Sequence, residues 1–397
     1  MANQLLTTDI ILRESLSILR QKLTFLRRIN RRYDDRFAIN GAKVGDTVSI
    51  RVPTHGKVRT GRAMDAGDMI DRVVPLTIAN QNGVDLVINS SDLTLSIDDL
   101  RERYLDQRIS DLAARIESAV ISDALKSAYQ TVNNADGLLG FTEALEANKI
   151  LSDQNAPADR FMLTNTTGTI QVVNQNANRF NSQDQIGRQY EEGLMFRSAG
   201  FDWYETSTMP TQTMSAASGY LVNGAGQTGN SLIVDTGTGA FKAGDRFTIA
   251  GVFTVNPATQ QSTGTLQSFV VTADKASGAG TLAIAPAILG PGNENQTVTA
   301  LPADNAAITF QAASSGTGVN LAFARDFVTF ATVDLQMPPA GTAKASRMEF
   351  DGLSMRMVQD FDTRNDQMLY RLDILWGSAV LRPELGVVIP NDLTKIS

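Results

Sequence analysis

The residue pattern predicts an α+β protein whose body of helices and strands is interrupted by a small β-barrel. Three observations lead there. Apolar side chains recur at helical spacing in two long stretches, Thr8 to about Ile29 and Ser96 to about Gln130; they alternate with period two between Asp46 and Ile88; and the composition changes abruptly from Tyr220 to about Thr317.

The first stretch, "TDIILRESLSILRQKLTFLRRI", puts Ile11, Leu12, Leu16, Leu19, Leu23 and Leu26 on one side of a helix, opposite Arg and Glu positions. No neighbouring segment offers that stripe a partner. Directly after it, Arg27, Arg28, Arg31, Arg32 and Arg36 gather around Asn30 and Tyr33, opposed only by Asp34 and Asp35. A solvated, salt-bridged stretch accounts for this cluster as well as a docking surface does.

Val48, Ile50 and Val52, then Val74, Leu76 and Ile78, then Val84, Leu86 and Ile88 alternate with polar residues and predict three strands. Between the first two lies "PTHGKVRTGRAMDAGDMID", long enough for a two-stranded arm, with Lys57, Arg59 and Arg62, followed directly by Arg72, and almost no large apolar side chains. Such a segment cannot bury its own surface and needs another molecule to rest on.

Within Ser96 to about Gln130, Ser96 is placed to cap a helix and Asp98 and Asp99 fall in its first turn, while Leu100, Tyr104, Leu112, Ile116, Ala119 and Val120 share one stripe. A helix of that length runs roughly 50 Å, longer than a compact domain requires. Asp136 to Pro210 mixes helical and strand segments, among them "FTEALEANKILSDQ", "RFMLTN" and "GFDWYETSTMP". From Tyr220 to about Thr317, Gly, Ser, Thr, Asn, Gln and Ala dominate, and the short runs "SLIVDT", "DRFTIAGVFTVN", "QSFVVTAD", "TLAIAPAIL" and "AAITFQA" alternate with turns, which predicts a small barrel or sandwich. Met348, Met355, Met357, Met368, Phe350, Phe361 and Tyr370 alternate along the closing strands as core residues.

Composition excludes much. With 42% hydrophobic and 19% charged residues the chain has a globular balance, and no stretch holds the 18 or so uninterrupted apolar residues of a membrane helix. No secretory leader is visible, so the chain is expected to stay in the cytoplasm where it is made. There is no cysteine and a single histidine, His55, which removes thiolate nucleophiles, disulfides and the common zinc sites. Net charge is -7, but Met1 to Pro75 carries 14 basic against 8 acidic residues, leaving 21 basic against 34 acidic in the remainder. A basic arm resting on an acidic neighbouring copy explains this asymmetry, as does a polyanion-binding arm.

The motifs that suggest chemistry have plainer explanations. "GAGQTGNS" at Gly224 to Ser231 has the spacing of a phosphate loop, but Asn230 stands where a lysine is required and a strand follows in place of a helix. His55 sits in a polar arm, far from any site able to exclude water. The pairs Asp98 with Asp99, Glu191 with Glu192 and Asp202 with Glu205 suit helix starts and solvated turns as well as they suit acid–base catalysis. No aromatic interleaving accompanies the arginines of the arm, which argues against base reading.

Taken in order, these pieces, with "AGFDWYETSTMPTQT" at Ala199 to Thr213, "FKAGDRFTIAGVFTVN" at Phe241 to Asn256 and "LYRLDILWGSAVLRPELGVVIP" at Leu369 to Pro390, resemble the major capsid protein of tailed bacteriophages. The likeness is to the coat protein of the short-tailed Salmonella phage group in particular, and it spans nearly the whole chain. It implies the tailed-phage major capsid fold: an N-terminal arm (1–42), an extended β-loop (43–80), a peripheral domain with a long spine helix (81–135), an axial domain (136–219), an inserted β-barrel domain (220–317), and a return through the axial and peripheral parts with the C-terminal strands (318–397). The insertion is shorter than in that group.

The resemblance also implies a structural protein and not an enzyme, without cofactors or metals, assembling as hexamers and pentamers into an icosahedral shell around double-stranded DNA. Its place would be the virion, after assembly in the bacterial host cytoplasm. Its partners would be copies of itself, a scaffolding protein and a portal, with non-specific contact to packaged DNA and none to membrane. Candidate inter-subunit contacts are Arg51, Lys57, Arg59 and Arg62 of the loop and Arg27, Arg28, Arg31 and Arg32 of the arm. In the closing stretch Gly377 is expected to permit a turn between two core strands and Pro383 to end strand pairing. An encapsulin-type compartment shell, or a β-rich carbohydrate-active enzyme using Asp202 or Glu205, are the alternatives.

Overall fold

A computed structural model describes residues 8–31, 47–52, 61–62, 72–89, 105–176, 197–212, 215, 217–311, 317–339 and 343–395. It divides into two compact units, each built from distant parts of the chain: Met1–Ile50, Val74–Val120 and Val328–Ala379 form one, and Arg51–Val73, Ile121–Phe327 and Val380–Ser397 the other.

In the first unit the amphipathic helix α1 (Thr8–Lys22) buries Ile11, Leu12, Leu16 and Leu19 against a hairpin from the far end of the chain, β16 (Lys344–Phe350) and β17 (Leu353–Asp362). The partner that no neighbouring segment could supply lies more than three hundred residues away. The helix ends at Lys22, not near Ile29. Leu23, Phe25, Leu26 and Ile29 remain buried, but in tight turns, because the Phe25 and Leu26 amides donate to the Glu117 carboxylate instead of to the preceding helical turn. Asn30 then bridges to Thr329.

The sheet of this unit runs β15 (Val328–Val333), β18 (Gln367–Val380), β17, β16, and β3 (Asn80–Asn89) pairs with β18 over ten residues from Asn80 against Trp376 to Asn89 against Gln367. Met355, Met357 and Tyr370 are core residues, as their alternation predicts. Phe350 and Phe361 are not: they stand 47% and 45% exposed near strand ends, and the Phe350 ring is covered by the Arg20 guanidinium, 5.0 Å from its centroid, in place of apolar side chains. Gly377 does not make a turn either, since β18 continues through it. Its hydrogen admits the Thr77 carbonyl, which any side chain would strike.

The long helix α2 is observed as Asp106–Ser127, about 33 Å at 1.5 Å per residue, not to Gln130. Gln130 belongs instead to the short strand β4 (Gln130–Thr131) beside the closing strand. Its stripe is Ile109, Leu112, Ala113, Ile116, Val120 and Ile121, and Ala119 lies on the exposed side. Ser96, Asp98, Asp99, Leu100 and Tyr104 lie outside the described residues.

The second unit holds a mixed sheet in the order β4, β19 (Gly386–Asp392), β14 (Thr317–Ala324), β5 (Arg160–Thr164), β7 (Phe201–Glu205), β6 (Arg197–Ser198). Helices α3 (Phe141–Asp153) and α4 (Thr166–Asn176) accompany it, with Ala144, Ala147, Leu151 and Val172 in a common core with Met162, Phe201 and Ile389. Both central strands, β14 and β19, are buried at every position. A 3₁₀ turn at Pro383–Leu385 separates β18 from β19, which agrees with the reading of Pro383 as the end of strand pairing.

The Gly- and Thr-rich stretch forms a second sheet in the order β13 (Ile308–Phe310), β10 (Arg246–Val255), β11 (Ser262–Val271), β12 (Gly280–Ile288), β9 (Gly229–Asp235), β8 (Leu221–Val222). Its two ends meet. Leu221 bridges to Ala307, and the Ile308 amide donates to the Tyr220 carbonyl at 3.0 Å, so the sheet closes into a barrel without free edges. Tyr220, Phe241, Phe247 and Phe269 fill it.

Candidate functional site

Among the described residues the catalytic candidates do not converge. Asp202 and Glu205 are three apart on one strand, which sends them to opposite faces, and Asp202 lies 4.0 Å from Arg197. "GAGQTGNS" is a turn with left-handed Gly224 and Gly226, and β9 begins at Gly229. His55, Glu191 and Glu192 lie outside the described residues, among which no group of three His, Cys, Asp or Glu side chains could hold a metal ion. No helix among them is long and apolar enough to cross a membrane.

What the described residues offer are anchors and bare surfaces. Two carboxylates help to hold the arm. Asp351, at the β16–β17 turn, accepts from Arg20 Nε at 2.8 Å and Arg31 Nη2 at 3.3 Å. Burial works against ionisation of Asp351, but Arg31 and Arg20 outweigh it and hold the carboxyl below its usual range. Glu117, only 2% exposed on α2, accepts from the Phe25 amide at 2.6 Å. Burial raises its pKa to about 7 although the amides of Phe25, Leu26 and Thr24 pull the other way.

Of the arginines singled out in the sequence, Arg31 is therefore engaged within its own chain. Arg27 is exposed and Arg28 half-buried. Arg51 and Arg62 are exposed, while Arg32, Lys57 and Arg59 lie outside the described residues. Arg51 stands on β1 (Thr47–Val52), which among the described residues pairs with β2 (Arg72–Thr77) alone, and on β2 Val73 is 51% exposed. A two-stranded ribbon is marginal by itself in water.

Two buried charge clusters escaped the sequence reading. Asp373 on β18, almost fully buried, accepts from Arg356 Nη2 at 2.7 Å and Arg371 Nε at 2.9 Å, and Gly83 on β3 leaves room for its carboxylate. Arg246 on β10 is 1% exposed and donates to the carbonyls of Leu125 and Ala128, where α2 ends, and to Gln212. Burial lowers its pKa to about 10, with adjacent Asp245 opposing, so it stays charged at neutral pH. Local sequence carried no signal for either cluster, since strand pairing brings Arg356 to Asp373 and tertiary packing brings Arg246 to the end of α2.

A cleft of about 500 Å³ lies in the second unit between the barrel residues Thr254, Gln267 and Pro286 and the body residues Tyr129, Gln154 and Glu384. Burial drives the Tyr129 hydroxyl pKa upward, and Glu384 adds to the shift. Charged lining groups of both signs, Arg72, Arg382, Glu294 and Glu384, give the cleft no preference for a ligand charge.

Solved structures similar to the chain over most of their length include the following three. One described as Mycobacterium phage Che8 shares 12% identity and a TM-score of 0.46, covering 92% of this chain and 90% of that one. The capsid of Ralstonia phage GP4 shares 8% and 0.44, covering 94% and 91%. The capsid structure of the cyanophage P-SCSP1u shares 14% and 0.43, covering 91% and 88%. No curated protein matches the chain. The family model described as P22 coat protein, gene protein 5, matches residues 1–390, and the chain therefore belongs to that family of bacteriophage coat proteins.

Proposed function

We propose that copies of this coat protein assemble as hexamers and pentamers into an icosahedral shell that encloses double-stranded phage DNA. The observation that carries the proposal, beside family membership, is the β1–β2 ribbon: two paired strands with exposed Arg51 and Val73 and, among the described residues, no third strand. One face of the ribbon is buried within its own chain at Ile50, Val52 and Leu76, and the outward face, which carries Arg51 and Val73, gains further stability against another molecule; the acidic remainder of a sister chain suits its basic side chains. On this reading residues 1–42 are the arm, 43–80 the extended loop, 81–135 the peripheral part with α2, 136–219 and 318–397 the axial and returning parts, and 220–317 the inserted barrel. Arg51, Lys57, Arg59 and Arg62, with Arg27, Arg28 and Arg32 of the arm, are the candidate contacts to neighbours. Arg31, already bonded to Asp351, serves the arm's own docking.

The test is negative-stain electron microscopy of the expressed protein, unmodified and as Arg59→Glu/Arg62→Glu. Closed shells or capsomers for the first and unassembled subunits for the second are expected. A strictly monomeric unmodified protein would refute assembly, and normal shells from the variant would remove the loop arginines from the contact.

A further inference from the structure

Arg246 plays no part in the proposed contacts, yet it lies where three segments of the second unit meet. Its guanidinium donates to the carbonyls of Leu125 at 2.5 Å and Ala128 at 2.8 Å and to Gln212 Oε1 at 2.9 Å. Its own carbonyl accepts from the Gln311 amide at 2.9 Å. The neighbouring Asp245 carboxylate accepts from the amides of Ser215 at 3.1 Å and Lys242 at 2.7 Å. Gln212 and Ser215 lead into the barrel and Gln311 leads out, so the entry, the exit and the end of α2 are all tied to two adjacent residues. A cation at a helix C-terminus also faces the negative end of the helix dipole.

The barrel's other attachment is different in kind. At the far end of β10, Asn256 Nδ2 donates to the Asp153 carbonyl at 2.9 Å, Gln154 to Thr254 at 3.4 Å and Lys149 to Thr265 at 2.9 Å. These are exposed or half-buried polar contacts, each worth little in water. The cleft of about 500 Å³ opens beside them, so barrel and body are not packed together there.

We infer that Arg246 is a positioning residue for assembly: it holds the barrel in a single orientation on the end of α2 and so fixes the barrel surface that each copy presents to its neighbours. The inference rests on the shell reading above. Removing the guanidinium strands the Leu125 and Ala128 carbonyls in a buried site and takes the donor from Gln212 Oε1, and the exposed or half-buried contacts at the far end cannot hold the orientation alone.

Arg246→Lys keeps the charge and loses the planar fork, and Arg246→Met removes both. Hydrogen exchange on the full-length protein reads two sets of amides: Gln212 and Ser215 at the junction, and Thr272 and Ile308 in the barrel wall. In Arg246→Lys the junction amides are expected to exchange about tenfold faster, and in Arg246→Met about a hundredfold. Barrel-wall amides keep their protection, and shells of both variants spread in diameter where the unmodified ones are uniform. The inference is overturned if the junction amides are unchanged, if the barrel wall loses protection together with them, or if shell diameters stay uniform. Absence of shells from the unmodified protein sinks the shell reading, while the exchange data still report whether Arg246 locks the barrel.

Discussion

Asn391 Nδ2 donates to Gln171 Oε1 at 3.0 Å, joining β19 to α4 across 220 positions of sequence. Asn165 and Asn320 complete a network of four buried amides. Asn165 Nδ2 donates to Asn391 Oδ1 at 2.8 Å, Asn320 Oδ1 accepts from the Asn165 backbone amide at 3.0 Å, and Asn165 Oδ1 caps α4 by accepting from the Gly168 amide at 2.6 Å. The side chains thus fix the register of β5, β14 and β19 and the start of α4 together. Inside a low-dielectric core such bonds are strong when complete and costly when one member is lost.

Asn320→Leu is accordingly expected to lower subunit stability by about 2–4 kcal/mol, because it leaves the Asn165 amide and Asn391 Oδ1 short of partners. Urea unfolding measures this, and because no member titrates near neutrality the loss should be the same at pH 6 and pH 8. An unchanged midpoint would show that the network does not hold the sheet.

Glu117 predicts a pH dependence of the opposite sense to an ordinary surface carboxylate. Its folded-state pKa of about 7 exceeds the ordinary 4.5, so the folded protein binds the proton more tightly than the unfolded chain. Stability from this group therefore falls as pH rises from about 4.5 through about 7 and is level above. Glu117→Gln keeps an acceptor for the Phe25 amide without the buried charge. It should flatten that slope, which is worth about 3 kcal/mol across the window. A slope that survives the substitution would place its origin elsewhere.

Asp351 has the contrary sign. Its carboxyl is held below the ordinary value, so its contribution is present above that value and is lost as pH falls through the folded-state pKa. The pair is partly exposed, and Asp351→Asn is expected to cost about 1 kcal/mol or less. Raising sodium chloride to 1 M should erase most of the difference, and a salt-independent loss would mean the turn, not the charge, is at stake.

Gly377→Ala is a steric test. A methyl group there meets the Thr77 carbonyl and the Ile78 backbone, neither of which has a flexible end to move aside. A loss of about 2–4 kcal/mol in thermal or urea unfolding is expected. An alanine tolerated without cost would show that β18 and the end of β2 are less closely apposed than described.

The barrel strands and the buried stripes of α1 and α2 were legible because alternation and helical period are local properties, set by which side chains must leave water together. The end of α1 was not legible: nothing near Lys22 says that Glu117, 92 residues beyond Phe25, will take the amides of the next turn. Period two places Phe350 and Phe361 on a strand face but does not say what covers that face. For Gly377 the sequence shows a missing side chain and not which of two reasons, a turn or a close approach, requires it.

By itself the chain of amino acids determined that helices, strands and a barrel would form. Only the tertiary structure decided that β18 would pair with β3, that Leu221 and Ala307 would close the barrel, and that Arg246 would reach the end of α2. The reason is physical: secondary structure follows from the periodicity of neighbouring residues, whereas a buried charge is tolerable only where its partners are delivered from elsewhere in the chain, and no local pattern records which distant carbonyl or carboxylate will arrive.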